Sequence, residues 1–370
     1  MGEDSERLQT STRDYGALRD QLTEWLATQL PDRSPQLSAL EVPATNGMSS
    51  ETVLFDLTLG PAGESTVQRC VARIAPPLDA VPVFAVYDLP KQYETMCLVE
   101  QRTAVPVPTP LWVEGDSAAV GAPFFIMERV DGVVPPDVMP YPFGDNWLYD
   151  ATRDDQMRVQ AAAVDVLCQL HTIEGRDPAV AFLQLDRPEP TPLSRHLANE
   201  GAYYEWVVGD GPRIPLLERA LRWLGDNLPA EGRPALSWGD SRIGNMMFRD
   251  FEPVAVLDWE MAAVAPREVD LMWMAYIHAF FNDLAAQLGA PGMPHYMRRD
   301  DLASHYERLS DYTPRDLNWF SLYSALRYGS VSARVQQRSI HFGQAQPPDD
   351  PDDLVMHRAA LEAMLAGTYW

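Results

Sequence analysis

Apolar residues recur at helical spacing over residues 14–30 (Leu18, Leu22, Trp25, Leu26, Leu30), and Pro31 closes the run, which predicts an opening helix. The period then shortens. Leu40–Val42 reads as a strand-like stretch. Thr52–Leu59 alternates, with Val53, Phe55, Leu57 and Leu59 on one face, and Ser65–Ile74 returns after a turn at Gly60–Gly63. Residues 90–102 go back to helical spacing, the prolines of Val105–Pro110 exclude regular structure, and Leu111–Val113 and Phe124–Arg129 add two strands. The expected order is helix, three strands, helix, two strands: a five-stranded, mostly antiparallel sheet with one inserted helix.

From Thr152 the pattern turns helical. Thr152 and Asp155 make a capping-box-like start; Val159, Ala162, Ala163, Val166, Leu167 and Leu170 then trace one face up to His171, read as a structural, hydrogen-bonded histidine. Further helices are expected over Ser194–Val208, Pro215–Asn227, Val269–Phe281, Asp301–Leu309, Leu317–Gln336 and Asp353–Leu365, with Gln344–Asp353 an exposed acidic loop. The tract Val133–Asp150 carries Pro135, Pro136, Pro140 and Pro142 among aromatics, too apolar for a plain linker, and is expected to pack as an ordered loop. These patterns together predict an α+β chain with a β-rich lobe over 1–130, a connector over 131–151 and a helical lobe over 152–370.

One stretch interrupts the helices. Leu236–Glu260 reads as a strand ending at Asp240, a loop to Asn245, and a hairpin over Met246–Leu257 whose loop is Arg249–Pro253. A register centred on that loop opposes Asn245 to Asp258, with side chains roughly 4.5–5.5 Å apart at their Cβ atoms. Asp240 arrives at the same end. Hard oxygen donors of this kind suit Mg²⁺ that is also held by phosphates, although such residues also end strands simply as turn caps. Upstream, the turn Asn46–Glu51, with Ser49 and Ser50, can present N–H groups and hydroxyls to phosphates or be only a turn. Arg73 is a lone cation in an apolar strand, either a surface arginine or a phosphate clamp.

Composition narrows the classes. At 370 residues, 46% hydrophobic with ten tryptophans, the chain suits a folded enzyme of one large or two modest domains. Its net charge of −24 and pI near 4.5, with no basic cluster, disfavour nucleic acid and anionic membrane as partners. The acidity would steer a cationic small substrate inward, or serve solubility alone. Three cysteines in apolar or amphipathic runs read as buried inert thiols, and seven scattered histidines form no zinc-type pair. The polar N-terminal stretch lacks an apolar secretory core and no run approaches roughly 18 apolar residues, so the expectation is cytoplasmic and not membrane-bound.

The segments Trp238-Gly239-Asp240…Asn245 and Leu257-Asp258-Trp259-Glu260, with steps of five and thirteen residues between Asp240, Asn245 and Asp258, resemble the signature of the aminoglycoside phosphotransferase family. That family shares a protein-kinase-like bilobal fold with choline kinases. The likeness runs over most of residues 40–275 and is nearest to actinobacterial, mycobacterial-type members, which share the WGD form and the segment Pro135–Tyr141. The resemblance implies an ATP- or GTP-dependent, Mg²⁺-dependent transfer of the γ-phosphate to a hydroxyl of a small molecule. In it Asp240 is the base, Asn245 and Asp258 are the Mg²⁺ ligands, and Ser49 and Ser50 cover the triphosphate. Arg73 stands at the position usually held by Lys with Glu94 as its partner, backbone around Met127, Glu128 and Val130 receives the base of the nucleotide, and His171 and Asp270 brace the catalytic loop. Glu260 is a candidate acceptor contact.

Two residues depart from the pattern: Trp238 replaces the usual His, and Arg73 replaces Lys, a change that keeps charge but alters geometry. They keep open an alternative, a nucleotide-binding pseudokinase with a regulatory or scaffold role. A protein kinase is disfavoured, because the stretch from Asp258 to the helix at Asp270 is too short for an activation segment. The acceptor is left undecided between a cationic aminoglycoside or amino alcohol and a hydroxyacyl metabolite.

Overall fold

The computed structural model describes residues 13–43, 50–60, 65–76, 81–209 and 211–369. The chain divides into two compact units, residues 1–97 with 108–130, and residues 98–107 with 131–370.

The first unit opens with α1 (Tyr15–Gln29), started by Asp14, whose carboxylate accepts from the N–H groups of Gly16 and Ala17. Its buried stripe is Leu18, Leu22, Trp25 and Leu26, the face the spacing predicts. The Trp25 indole donates to Glu114 at 2.9 Å while its ring meets Phe124 edge-on at 4.8 Å. The sheet has the order β1 (Gln36–Leu37), β2 (Glu51–Leu59), β3 (Thr66–Ile74), β5 (Phe124–Glu128), β4 (Pro110–Glu114), every pair antiparallel. The stretch Leu40–Val42 contributes only an isolated bridge, Glu41 to Leu54; the paired strand lies earlier, at Gln36–Leu37. The α2 helix (Leu89–Arg102) is inserted between β3 and β4. Cys70 is buried on β3, where burial first and neighbouring Glu128 second push its thiol up to about 12, so it is inert.

The second unit is helical: α3 (Arg153–Leu170), α4 (Pro192–Val208), α5 (Pro215–Asp226), α6 (Glu268–Gln287), α7 (Arg299–Leu309), α8 (Leu317–His341) and α9 (Arg358–Leu365). Thr152 starts α3 by accepting from the Asp155 N–H at 3.2 Å, and α6 is buried almost without a break from Glu268 to Phe281. Two small sheets interrupt the helices, β6 (Pro234–Ser237) with β9 (Ala263–Pro266), and the hairpin β7 (Met246–Arg249) with β8 (Glu252–Val256). Both proline-rich tracts attach to this hairpin. The Val256 N–H donates to the Pro106 carbonyl at 2.7 Å, and Val133 exchanges two backbone bonds with Phe248, at 2.9 and 2.8 Å. Neither tract is loose.

The last helix is shorter than its pattern suggests. Asp352 is buried and accepts from the Leu216 N–H at the start of α5, at 2.8 Å. That bond holds Pro351–Leu354 in a 3₁₀ turn, and α9 begins only at Arg358. The acidic loop is therefore not wholly exposed, since one of its carboxylates serves as a helix cap. Among the described residues no helix is long and apolar enough to cross a membrane.

Candidate active site

Strand β6 ends at Ser237, and Ser237, Trp238 and Gly239 are gripped by one carboxylate. Asp270, in the first turn of α6, accepts from the Ser237 hydroxyl at 2.8 Å, the Trp238 N–H at 2.8 Å and the Gly239 N–H at 2.9 Å. His171, at the C-terminus of α3, stands 3.1 Å from the same carboxylate through Nε2, and its Nδ1 lies 2.8 Å from the Tyr306 hydroxyl. An Nε2–H that donates to Asp270 and an Nδ1 that accepts from the Tyr306 hydroxyl satisfy both contacts. Burial alone would raise the Asp270 carboxyl, but His171 and the N–H and hydroxyl donors outweigh it and hold it below the usual range.

Gly239 has φ +91°, and a Cβ there would lie 2.2 Å from the Met261 carbonyl oxygen, so only glycine fits. Trp238 is fully buried, tilted against Trp259 with ring centroids 5.9 Å apart, and its Nε1–H donates to the Leu257 carbonyl at 2.9 Å.

This scaffold presents Asp240. Its Oδ2 accepts from Asn245 Nδ2 at 2.6 Å and from Arg242 Nε at 3.0 Å; its Oδ1 accepts from the Trp273 indole at 2.7 Å. Burial pushes this carboxyl up, yet Arg242, Trp273 and Asn245 together bring it below its ordinary value, so Asp240 is ionised at neutral pH. Its side chain is 13% exposed, enough for a ligand to reach. Arg242 is shared, since its other arm is ion-paired with Asp137 of the proline-rich tract. Asn245 ends a 3₁₀ turn, Ile243–Asn245, and spends its amide nitrogen on Asp240 twice, on the carboxylate and on the carbonyl at 3.0 Å. Its Oδ1 is what remains for a cation.

The hairpin register differs from the one its centred loop predicts. Asp250 and Phe251, both at positive φ, form a two-residue turn between Arg249 and Glu252. Phe248 then opposes Pro253 while Met247 opposes Ala255, which leaves Val254 as a bulge. The Leu257 N–H donates to the Asn245 carbonyl at 2.8 Å, so Asn245 faces Leu257 and not Asp258. Asp258 follows at φ +62°, a left-handed kink that turns the chain out of the ladder directly beyond Asn245's partner. Glu260 is half-buried in the turn that follows. Among the described residues no three His, Cys, Asp or Glu side chains gather into a metal cage. Oxygen donors from Asn245 and Asp258 alone suit a hard cation that completes its shell with water and ligand phosphates.

In the first unit, Ser49 lies outside the described residues, and Ser50 is buried at the start of β2 with a hydroxyl that has no hydrogen-bond partner among them. Arg73 is half-buried on β3, opposite Thr52 and Phe125. Glu94 sits on the exposed side of α2 and makes no ion pair with Arg73, because it faces outward. Met127 is buried within β5. The Glu128 N–H is spent on the Thr109 carbonyl and the Arg129 N–H on the Arg69 carbonyl, so neither of these donors is open to a ligand.

Sequence reasoning missed Trp273, Arg242 and Asp137. Trp273 follows Asp270 by one helical turn and therefore faces the same loop, a signal that could have been read. The contact between Asp137 and Arg242 spans 105 residues and carries no local signature.

The profile of the phosphotransferase enzyme family (APH) matches residues 43–309. Acyl-CoA dehydrogenase family member 10 of Mus musculus is 26% identical over 256 residues, 66% of this chain and 22% of that protein. The chain thus spans about a fifth of that relative's length. An aminoglycoside phosphotransferase-like protein of Ralstonia eutropha JMP134 shares the fold with a TM-score of 0.66 at 20% identity, over 95% of this chain and 97% of that one. An aminoglycoside phosphotransferase crystallised with GDP and kanamycin does so with a TM-score of 0.56 at 14% identity, over 94% and 98%. The α+β, kinase-like architecture and the match over most of the chain lead to one conclusion: this protein belongs to the phosphotransferase enzyme family.

Proposed function

We propose that the chain transfers the γ-phosphate of ATP or GTP, with Mg²⁺, to a hydroxyl of a small molecule. The observation that carries this reading is the state of Asp240: ionised, held by Trp273, Asn245 and Arg242, and still reachable from solvent. Phosphoryl transfer asks a protein for positioning and charge complementarity more than for covalent chemistry. Both Oδ2 lone pairs are engaged, and Oδ1 keeps one beside the Trp273 bond, so the acceptor hydroxyl is received at Oδ1. There Asp240 orients the hydroxyl and takes its proton. Asn245 Oδ1 and Asp258 would hold Mg²⁺, which supplies charge neutralisation across the phosphates. In the first unit, Ser49, Ser50, Arg73 and the backbone around Met127, Glu128 and Val130 are assigned to the nucleotide. Glu94, exposed on α2, is left out of that set. The complexes of a fold relative with GDP and kanamycin support a nucleoside phosphate and a hydroxylated acceptor.

For the acceptor, a hydroxylated acyl compound is favoured over a polycationic sugar. Beside Asp137 the tract exposes Val138 (85%) and Met139 (68%), an apolar tip. The relative named for acyl-CoA points the same way. The test is nucleotide consumption across hydroxy-acids, hydroxyacyl thioesters, amino alcohols and aminoglycosides. Turnover that Asp240→Ala abolishes supports the reading. Nucleotide binding without turnover on any acceptor would favour the pseudokinase instead.

A further inference from the structure

The described contacts place a buried cation directly behind Asp240. Arg327, on α8 and only 3% exposed, donates through Nη1 to the Gly239 carbonyl at 3.3 Å, the residue before Asp240. Its guanidinium lies 4.8 Å from the centre of the Trp273 ring, the indole whose N–H donates to Asp240 Oδ1. Glu200 on α4, itself buried, stands 3.3 Å from Arg327 Nε and compensates the charge. Burying a cation and a carboxylate together costs several kcal/mol per ion, and an apolar pair of the same volume would fill the space at no such cost. The arrangement is therefore a weak device for stability, and what it does achieve is geometric. One guanidinium touches two groups next to Asp240, the carbonyl of the preceding peptide and the ring of the donating indole.

We propose that Trp273 and Arg327 are positioning residues for Asp240, the indole N–H fixing the Oδ1 edge that receives the acceptor and the Glu200-paired guanidinium locking that indole in place. This deepens the reading of Asp240 as base and rests on it. A cation against the ring face also polarises the indole N–H toward its acceptor, so the two residues act in series. Their effects then overlap instead of adding, as expected for neighbours in one network.

The test uses the full chain with Mg·ATP and the acceptor found by the screen. Trp273→Phe keeps the ring and removes the N–H; kcat is expected to fall about 10–100-fold, the scale of a misplaced catalytic group, with KM for Mg·ATP unchanged. Arg327→Met should lower kcat similarly, Arg327→Lys should recover part of it, and Trp273→Phe with Arg327→Met should cost little more than either alone. In ¹H–¹⁵N spectra the Trp273 indole resonance should shift in Arg327→Lys and in Asp240→Asn, a readout independent of turnover. Wild-type kcat in Trp273→Phe, alongside an inactive Asp240→Ala, overturns the positioning role. So does a double variant whose loss is the product of the single losses. An active Asp240→Ala instead overturns the base assignment beneath it. If Arg327→Met does not fold, Arg327→Lys and Trp273→Phe decide alone.

Discussion

The indole N–H of Trp238 donates to the carbonyl oxygen of Leu257 at 2.9 Å, across nineteen residues of chain. Leu257 is held on its other side through its own N–H, which donates to Asn245. The residue that follows is Asp258. Trp238 thus ties the segment that leads to Asp240 to the segment that leads to Asp258, and the departure from the family's histidine has a definite structural task.

Trp238→Phe keeps most of the ring and removes this donor. It should cost about 1–3 kcal/mol, read as a lower Tm, and weaken Mg·ATP binding several-fold because Asp258 loses its anchor. Unchanged calorimetric affinity would show that the tether does not position Asp258.

Asp258→Ala should lower nucleotide affinity only when Mg²⁺ is present. Titrations with and without the cation separate this from a general defect; equal losses in both would remove Asp258 from the metal site.

The Asp270 carboxyl, below its ordinary range, makes stability depend on acid. The unfolded chain takes up the proton first, near the ordinary carboxylate value of about 3.9, so the stabilisation is complete above that value and is lost as pH falls through the lower folded value. Urea midpoints between pH 5 and pH 2 should fall more steeply for the wild type than for Asp270→Asn, which should also be less stable at pH 7, by about 1–3 kcal/mol. Parallel pH slopes would place the acid sensitivity elsewhere.

Arg73→Ala should raise KM for the nucleotide with a smaller effect on kcat, and Arg73→Lys should recover part of the loss. Wild-type steady-state kinetics in Arg73→Ala would take this residue out of the nucleotide site.

Much of the architecture is local information. Period two at Val53, Phe55 and Leu57 and period 3.6 at Leu18, Leu22, Trp25 and Leu26 identify the strand and the helix because each element must bury one face. The spacing of Asp240, Asn245 and Asp258 was legible for the same reason, since one loop and one hairpin carry all three. What the pattern could not contain is whatever depends on partners far along the chain. The tight turn at Asp250–Phe251 and the bulge at Val254 together put Leu257 opposite Asn245, and no alternation of apolar residues records either. Glu94 has the right chemistry for an ion pair with Arg73 but lies on the exposed face of α2. Asp352 looks like part of a solvated acidic loop until the first turn of α5 needs an acceptor for the Leu216 N–H. Trp273, Arg327 and Glu200 meet behind Asp240 from three different helices, and only the packing of those helices brings an indole, a guanidinium and a carboxylate to one point.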